Sequence, residues 1–140
     1  MTAQTVANAF LKLSQPELGD YMTNLKLQKL VYYAQGFSLA VHDRPLFSED
    51  ILAWEHGPVV RELYNRYRDL GSEPLPVPDE AVDISQEDLE LIGEVNNVYG
   101  QFSAWKLRDM THQERPWVET PRNEVIPLGL LKEYFTTLTT

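Results

Sequence analysis

Apolar residues recur every three to four positions along most of this chain, a spacing typical of helices with one buried face. The longest regular run extends from residue 24 to residue 42, and its repeating apolar positions are Leu27, Leu30, Val31, Ala34, Phe37 and Val41. Such a long apolar stripe is typical of a helix at the centre of a core. The pattern therefore predicts a central core helix from about Asn24 to His42.

Three further periodic runs begin after residues that favour helix starts, namely Thr2, Ser85 and Ser103. Their hydroxyl groups accept hydrogen bonds from backbone amides that the first helical turn leaves free. Ser85 is followed three residues later by Asp88, which is the spacing of a capping box. We therefore expect helices over about residues 2–13, 85–99 and 103–110.

Prolines and a glycine mark the remaining boundaries. Pro58 fits the first position of a helix, where its missing amide hydrogen costs nothing, and Gly71 is expected to end that helix. Pro127 is expected to open a last helix, whereas Pro116 and Pro121 favour extended or turn structure. The predicted fold class is mainly α: a compact single-domain helical bundle of five to six helices, with at most a short β element near residues 46–54.

Length and composition narrow the class of protein. A chain of 140 residues suits one domain, so residues 1–140 are expected to fold as a single unit. The chain has no cysteine, which excludes disulfide bonds and thiolate chemistry. No secretion signal is recognisable, and no apolar run approaches the roughly 18 residues that a membrane span needs. These features predict a cytoplasmic protein without membrane insertion, and they leave its oligomeric state open.

The net charge of −9 is concentrated in the second half of the chain. Eight acidic residues and no Lys or Arg lie between Glu73 and Glu94, and we expect a flexible, proline-rich acidic loop over about residues 72–84. Because phosphate binding needs basic residues, the charge argues against a nucleic-acid partner. Two interpretations stay open: a solvated surface, or a surface that attracts a basic protein partner.

Few residues offer catalytic or metal-binding chemistry. The three histidines, His42, His56 and His112, lack the helical spacing of a metal pair, so we expect neither a metal site nor a cofactor. Common nucleophile and nucleotide-binding signatures are also absent. In the stretch AWEHGPVV, Glu55 and His56 fit a structural role at a helix start better than an acid–base pair.

Three segments together resemble one family. These are LQKLVYYAQG at residues 27–36, PLF followed by AWEHGPVVRELY within residues 45–64, and THQERPW at residues 111–117. In order and spacing they are similar to the Panacea-domain family, which includes SocA-like antitoxins and phage-associated GepA-like proteins. The resemblance implies a mainly helical antitoxin that neutralises a partner toxin by direct contact, without enzymatic activity.

Carried onto this sequence, the resemblance implies two groups of residues. The structural positions are Leu27, Leu30, Tyr32, Ala34, Trp54, Gly57, Pro58, Val59, Tyr64, Pro116 and Trp117. The polar positions with a possible role in partner binding are Lys29, Glu55, His56 and His112.

The leading hypothesis from the sequence is therefore an antitoxin of a bacterial or phage-encoded toxin–antitoxin system. Its partner would be a cognate toxin protein encoded next to it. Two alternatives are an adaptor that delivers its partner to a protease and a hydrolase that uses His56 and His112.

Overall fold

The structure, a computed structural model, describes residues 1–139. The described part contains seven α-helices and one two-stranded antiparallel sheet. The elements are α1 (Ala3–Leu13), α2 (Asn24–His42), β1 (Leu52–Trp54), β2 (Gly57–Val59), α3 (Arg61–Tyr67), α4 (Gln86–Tyr99), α5 (Ala104–Thr111), α6 (Arg115–Val118) and α7 (Leu128–Leu138). Short 3-10 turns follow α1 and α3, at Pro16–Leu18 and Arg68–Leu70.

The predicted mainly α class is confirmed, with one helix more than the sequence indicated. The additional helix is α6, a single turn that carries Pro116 at its N-terminal end. The prediction of extended or turn structure at Pro116 was therefore wrong. A proline at the start of a helix removes only an amide that has no partner inside the helix. None of the helices in the described residues combines the length and apolar character needed to cross a bilayer.

Helix α2 lies at the centre of the fold. It packs against α1, α3, α4, α5, α7 and strand β2, which cover it on several sides. Its polar residues Gln28, Lys29, Gln35 and Ser38 are consequently buried together with its leucines. The side chains of Gln28 and Gln35 bond to backbone groups of the segment that follows α2, so burial does not leave them without partners.

The stretch AWEHGPVV forms a β-hairpin, not the helix start that Pro58 suggested. Trp54 pairs with Gly57 and Ala53 pairs with Pro58, which leaves Glu55 and His56 as a two-residue turn. Ala53 directs its backbone amide and carbonyl to residues 123 and 124, away from β2. Pro58 lies opposite Ala53, whose backbone carbonyl accepts its hydrogen bond from Asn123 and not from β2. A proline, which has no amide hydrogen, is therefore tolerated at position 58. Helix α3 begins only at residue 61.

The acidic connection between α3 and α4 has no regular secondary structure from residue 74 to residue 85. Its one deeply buried side chain is Leu75, which belongs to the hydrophobic core. The backbone amide of Leu75 donates to the carbonyl of Met22 at 2.7 Å. The connection is therefore fastened near its beginning to the segment that precedes α2.

Substituting Gly36 with alanine will destabilise the fold. A Cβ atom at this position would lie 2.2 Å from Cδ2 of Phe135, whose ring packs where α7 crosses α2. Phe135 is fully buried, so its ring has no free space into which to move. We expect the free energy of unfolding to fall by about 2 to 3 kcal/mol, measured by urea denaturation.

Gly93 is the matched control for this prediction, because it also lies inside a helix. Nothing lies within 4 Å of a Cβ built there. Alanine at position 93 is expected to raise stability by about 0.5 to 1 kcal/mol, since it favours the helix more than glycine does. Equal effects of the two substitutions would contradict the close approach of α2 and α7.

Candidate partner-binding surface at the hairpin

The hairpin turn presents Glu55 and His56 to solvent. Its position is fixed from below by Lys29, whose Nζ atom donates to the carbonyl of Pro58 at 2.9 Å. Gly57 makes this approach possible: a Cβ atom there would lie 2.7 Å from Cε of Lys29. Gly57 also has a φ of 108°, which other residues adopt only with strain. Lys29 and Gly57 together therefore hold the exposed turn in place from the side of α2.

Lys29 is completely buried, so it does not lie on a surface that a partner reaches in this conformation. Burial lowers the pKa of Lys29 to about 7, and the positive charge of Arg108 acts in the same direction. Its one hydrogen bond joins α2 to the hairpin. The contact that Lys29 makes is therefore internal.

His56 contacts two residues of α5. Its Nδ1 atom accepts a hydrogen bond from Nε of Arg108 at 3.1 Å. Its ring also lies edge-on to Trp105, with ring centroids 5.9 Å apart. The guanidinium carbon of Arg108 is 5.3 Å from the centre of the Trp105 ring, within the range of a cation–π contact. These contacts place an imidazole, a guanidinium and an indole side by side.

His112 lies deeper, near the base of the hairpin. Its ring stacks on Trp117 with centroids 4.0 Å apart, and Trp117 donates from Nε1 to the carbonyl of Trp54 at 2.7 Å. Burial lowers the pKa of His112, with a further contribution from the charge of Arg108, while the backbone of Glu55 favours the charged form. The structure therefore gathers all four predicted polar residues around one hairpin, although only Glu55 and His56 are exposed.

The predicted structural residues are distributed among the elements around the hairpin. Leu27, Leu30, Tyr32 and Ala34 are buried in α2; Gly57, Pro58 and Val59 are buried in β2; and Pro116 is buried in α6. Trp54 and Trp117 are half-buried. Tyr64 is 37% exposed and meets the ring of Trp54 edge-on.

A groove of about 560 Å³ runs beside the hairpin. Its lining includes Trp54, Glu55 and His56 of the hairpin, Tyr64 of α3, Arg68 of the 3-10 turn that follows α3, and Trp105 of α5. The indole of Trp105 is 59% exposed, which is unusual for so large an apolar side chain. Exposed Trp, Tyr and Arg side chains supply much of the binding energy at protein interfaces. We call this set of six residues the hairpin surface.

Residues 27–118 match the family described as "Antitoxin SocA-like, Panacea domain". This stretch covers about two-thirds of the chain and includes the hairpin, α5 and the His112–Trp117 stack. The chain belongs to this SocA-like, Panacea-domain family. The match supports an antitoxin-like role. No curated protein and no solved structure gives a match.

Two residues of the hairpin surface in this Panacea domain escaped prediction from the sequence. Trp105 stands in the helix AWKLRDMT, where Leu107 faces the core and Trp105 faces solvent. The sequence did contain a signal for this exposure. Trp105 lies two residues before the inward-facing Leu107, and residues at that spacing lie on different faces of a helix. Arg68 carried no comparable signal, since it follows α3 in a 3-10 turn.

A buried carboxylate in the third motif of the Panacea domain also escaped prediction. Glu114 accepts hydrogen bonds from the hydroxyl groups of Tyr32, at 2.9 Å, and Tyr33, at 2.8 Å. Burial raises the pKa of Glu114 to about 7, although the two tyrosine hydrogen bonds oppose that shift. The three residues tie α2 to the segment before α6. The signal for Glu114 in the sequence was its place within the motif THQERPW, two residues before Pro116.

One cluster in the described residues has the composition of a cation site. Ligand atoms of His42, Glu87 and Asp88 lie within 4.8 Å of one another. Arg44, however, donates from Nη2 to both carboxylates, at 2.7 and 2.9 Å. The positive charge that these carboxylates need is thus supplied by a guanidinium group, and the cluster is an ion-pair network between α2 and α4.

Proposed function

We propose that this protein is a cytoplasmic antitoxin that neutralises a cognate toxin, encoded next to it, by direct protein–protein binding. The observation that carries the proposal is the match of residues 27–118 to an antitoxin family. Antitoxins of this kind need an exposed surface that fits their partner. The hairpin surface is our candidate for that contact.

Three properties of the hairpin surface support this choice. It is concave, it exposes a large part of the Trp105 indole, and charged groups of both signs border it, including Glu55 and Arg68. Its backbone is held from below by Lys29, so little ordering is needed when a partner binds. Preorganised aromatic residues with a polar rim are typical of tight protein interfaces.

The contacts of the two histidines support binding over hydrolysis. His56 accepts a hydrogen bond from the guanidinium group of Arg108, and His112 stacks on Trp117. A catalytic histidine that activates a side-chain nucleophile needs a hydroxyl or thiol group within hydrogen-bonding distance. Neither histidine has such a partner among the described residues, and the positive charge of Arg108 opposes protonation of His112.

Co-expression tests the proposal. The neighbouring small open reading frame would be expressed alone and together with this protein, and growth would be scored. We expect growth arrest in the first case and normal growth in the second, with a complex recovered by affinity purification. A neighbour that is never toxic, or a rescue without any complex, would contradict direct neutralisation.

The same experiment separates the two alternatives. An adaptor would fail to rescue growth in cells that lack the main cytoplasmic proteases, and the toxin would accumulate in those cells. Rescue that is lost in a His56→Ala/His112→Ala variant while the complex persists would indicate an enzyme. Under the proposal, the toxin remains present at normal levels but inactive, and removing those proteases changes nothing.

A further inference from the structure

A second groove lies away from the hairpin surface, between α2, α4 and the end of α7. Its volume is about 560 Å³. We call it the α4 groove, because α4 supplies most of its wall. Its residues from α4 are Glu87, Glu90, Leu91, Glu94, Val95, Val98 and Tyr99, and the opposite side is formed by Phe37, Val41, His42 and Leu138.

Apolar side chains along the α4 groove are left uncovered. Val41 is 56% exposed, Val98 is 53% exposed and Leu138 is 45% exposed. Helical spacing placed Val41 on the buried face of α2, and that prediction was wrong. Spacing identifies the apolar face of a helix but not how far the neighbouring helices extend over it. Three uncovered aliphatic side chains around one concavity are typical of a binding site.

The rim of the α4 groove is acidic. Glu87, Glu90 and Glu94 follow one another at three- and four-residue spacing, so they lie along one side of α4. Glu87 is paired with Arg44, whereas neither Glu90 nor Glu94 has an ion-pair partner among the described residues. Among the described residues, no Lys or Arg lines the groove, and His42 and Tyr99 are the ionisable side chains there besides the glutamates. The groove thus combines an apolar floor with uncompensated negative charge.

We propose that the α4 groove binds a basic amphipathic helix from another protein. The lining residues of α4 span positions 87 to 99, which corresponds to roughly 18 Å, or about three helical turns. A helix of that length would place an apolar stripe on Val98, Val41 and Leu138, with Lys or Arg beside Glu90 and Glu94. The walls are helices whose backbone groups are already paired, so the groove offers no edge for an added strand.

Charge distinguishes a basic helix from the other candidate occupants of the α4 groove. A second copy of this chain carries the same net charge of −9 and would bring acidic residues to an acidic rim. A membrane with anionic lipids would be repelled in the same way. A basic helix is the partner whose charge and shape both fit. This inference concerns a different surface from the hairpin surface and does not depend on the toxin.

A synthetic peptide provides the direct test. The probe is a stapled helix of about 14 residues with Leu at positions of one face and Lys on both flanks, labelled with fluorescein. Binding to the full chain would be followed by fluorescence anisotropy. A peptide with the same Leu positions and Glu in place of Lys serves as the control ligand. We expect the Lys peptide to bind and the Glu peptide to bind at least about tenfold more weakly, with an affinity that falls as salt increases.

Two pairs of variants localise the binding. Val98→Arg fills the groove, and Val118→Arg is its matched control, because Val118 is also 53% exposed and lies on another helix. Glu90→Lys/Glu94→Lys reverses the rim, and Glu73→Lys/Glu80→Lys makes the same change in charge within the acidic connection. All six substituted positions are exposed, so folding is expected to be retained and would be verified by circular dichroism.

We expect Val98→Arg and Glu90→Lys/Glu94→Lys each to weaken binding of the Lys peptide at least about tenfold, with smaller effects of their controls. Equal losses in a variant and its control would show that the peptide binds acidic surface without using the groove, and would overturn the proposal. Concentration-dependent dimerisation that Val98→Arg abolishes, without peptide binding, would assign the groove to a second copy and would overturn it as well.

Discussion

As pH rises from 5 to 8, the free energy of unfolding of the unaltered protein will fall by on the order of 3 kcal/mol relative to that of its Glu114→Gln variant. Glu114 is buried and its pKa is raised to about 7, compared with an ordinary value of 4.5. Between these two values, the folded protein keeps a proton that the unfolded chain has released. Its contribution to stability is therefore fully present at low pH and is lost as pH rises towards 7.

Other ionisable groups act differently in this range. Burial also lowers the pKa of His112, so this group makes stability rise with pH below its ordinary value of 6.5. Lys29, with a pKa lowered to about 7 from 10.5, makes stability rise between those two values. Both contributions are present in the Glu114→Gln variant too. The difference between the two proteins therefore isolates Glu114.

Urea denaturation at several pH values measures this difference, and Glu119→Gln is the control. Glu119 is exposed and its pKa is lowered, chiefly by a hydrogen bond from Arg115, so its contribution changes only below pH 4.5. The Glu119→Gln variant is expected to follow the unaltered protein across the whole range. Parallel stability profiles for the unaltered protein and Glu114→Gln would show that Glu114 does not titrate near pH 7.

Under the proposed function, replacing Trp105 with alanine is expected to weaken binding of the cognate toxin by about 2 kcal/mol or more, which corresponds to roughly 30-fold in Kd. The indole is 59% exposed in the free protein, so it contributes little to the core. It lies next to His56 and Arg108, and its loss would remove the largest exposed apolar side chain of the hairpin surface. The free energy of unfolding is expected to change by less than about 0.5 kcal/mol.

Binding of purified toxin to the variant would be measured by isothermal titration calorimetry. Leu18→Ala is the control, because Leu18 is 74% exposed and lies in the 3-10 turn after α1, outside the hairpin surface. The control is expected to bind as the unaltered protein does. Unchanged affinity of the Trp105→Ala variant would place the toxin contact elsewhere on the molecule, whereas a loss in both variants would indicate a general effect of removing apolar surface.

The starts of α1, α4 and α5 were predicted well because their causes are local. Thr2, Ser85 and Ser103 each accept a hydrogen bond from the backbone amide three residues later, as a capping residue does. Such a contact is contained within one turn of chain. The family resemblance likewise depended on short segments of sequence, and residues 27–118 match that family. Short local signals in the sequence were therefore sufficient to predict these helix starts and the family.

The hairpin was not predictable in the same way, because its cause is distant in sequence. Strand β1 bonds to residues 123–126 on one side and to β2 on the other, and Lys29 supports the turn from α2. Residues 123–126 and Lys29 all lie far from AWEHGPVV in the chain. Gly57 and Pro58 are compatible with either a helix start or a tight hairpin, so tertiary contacts decide between them.

Burial of polar groups and exposure of apolar groups were the least predictable features. Lys29 and Glu114 are polar residues that became internal, while Val98 and Trp105 are apolar residues that remained exposed. Whether a position is covered depends on which elements pack over it, and single-helix periodicity does not contain that information. Trp105 belongs to the hairpin surface and Val98 to the α4 groove, so each candidate binding surface includes such a position.

A titration of purified toxin with this protein, without proteases or nucleotides, tests direct neutralisation most directly. We expect the activity of the toxin to fall in proportion to the amount of added protein and to vanish at a fixed molar ratio, with the complex visible by gel filtration. Inhibition by far less than one equivalent would indicate an enzyme. Full toxin activity in the presence of excess protein would contradict neutralisation by binding.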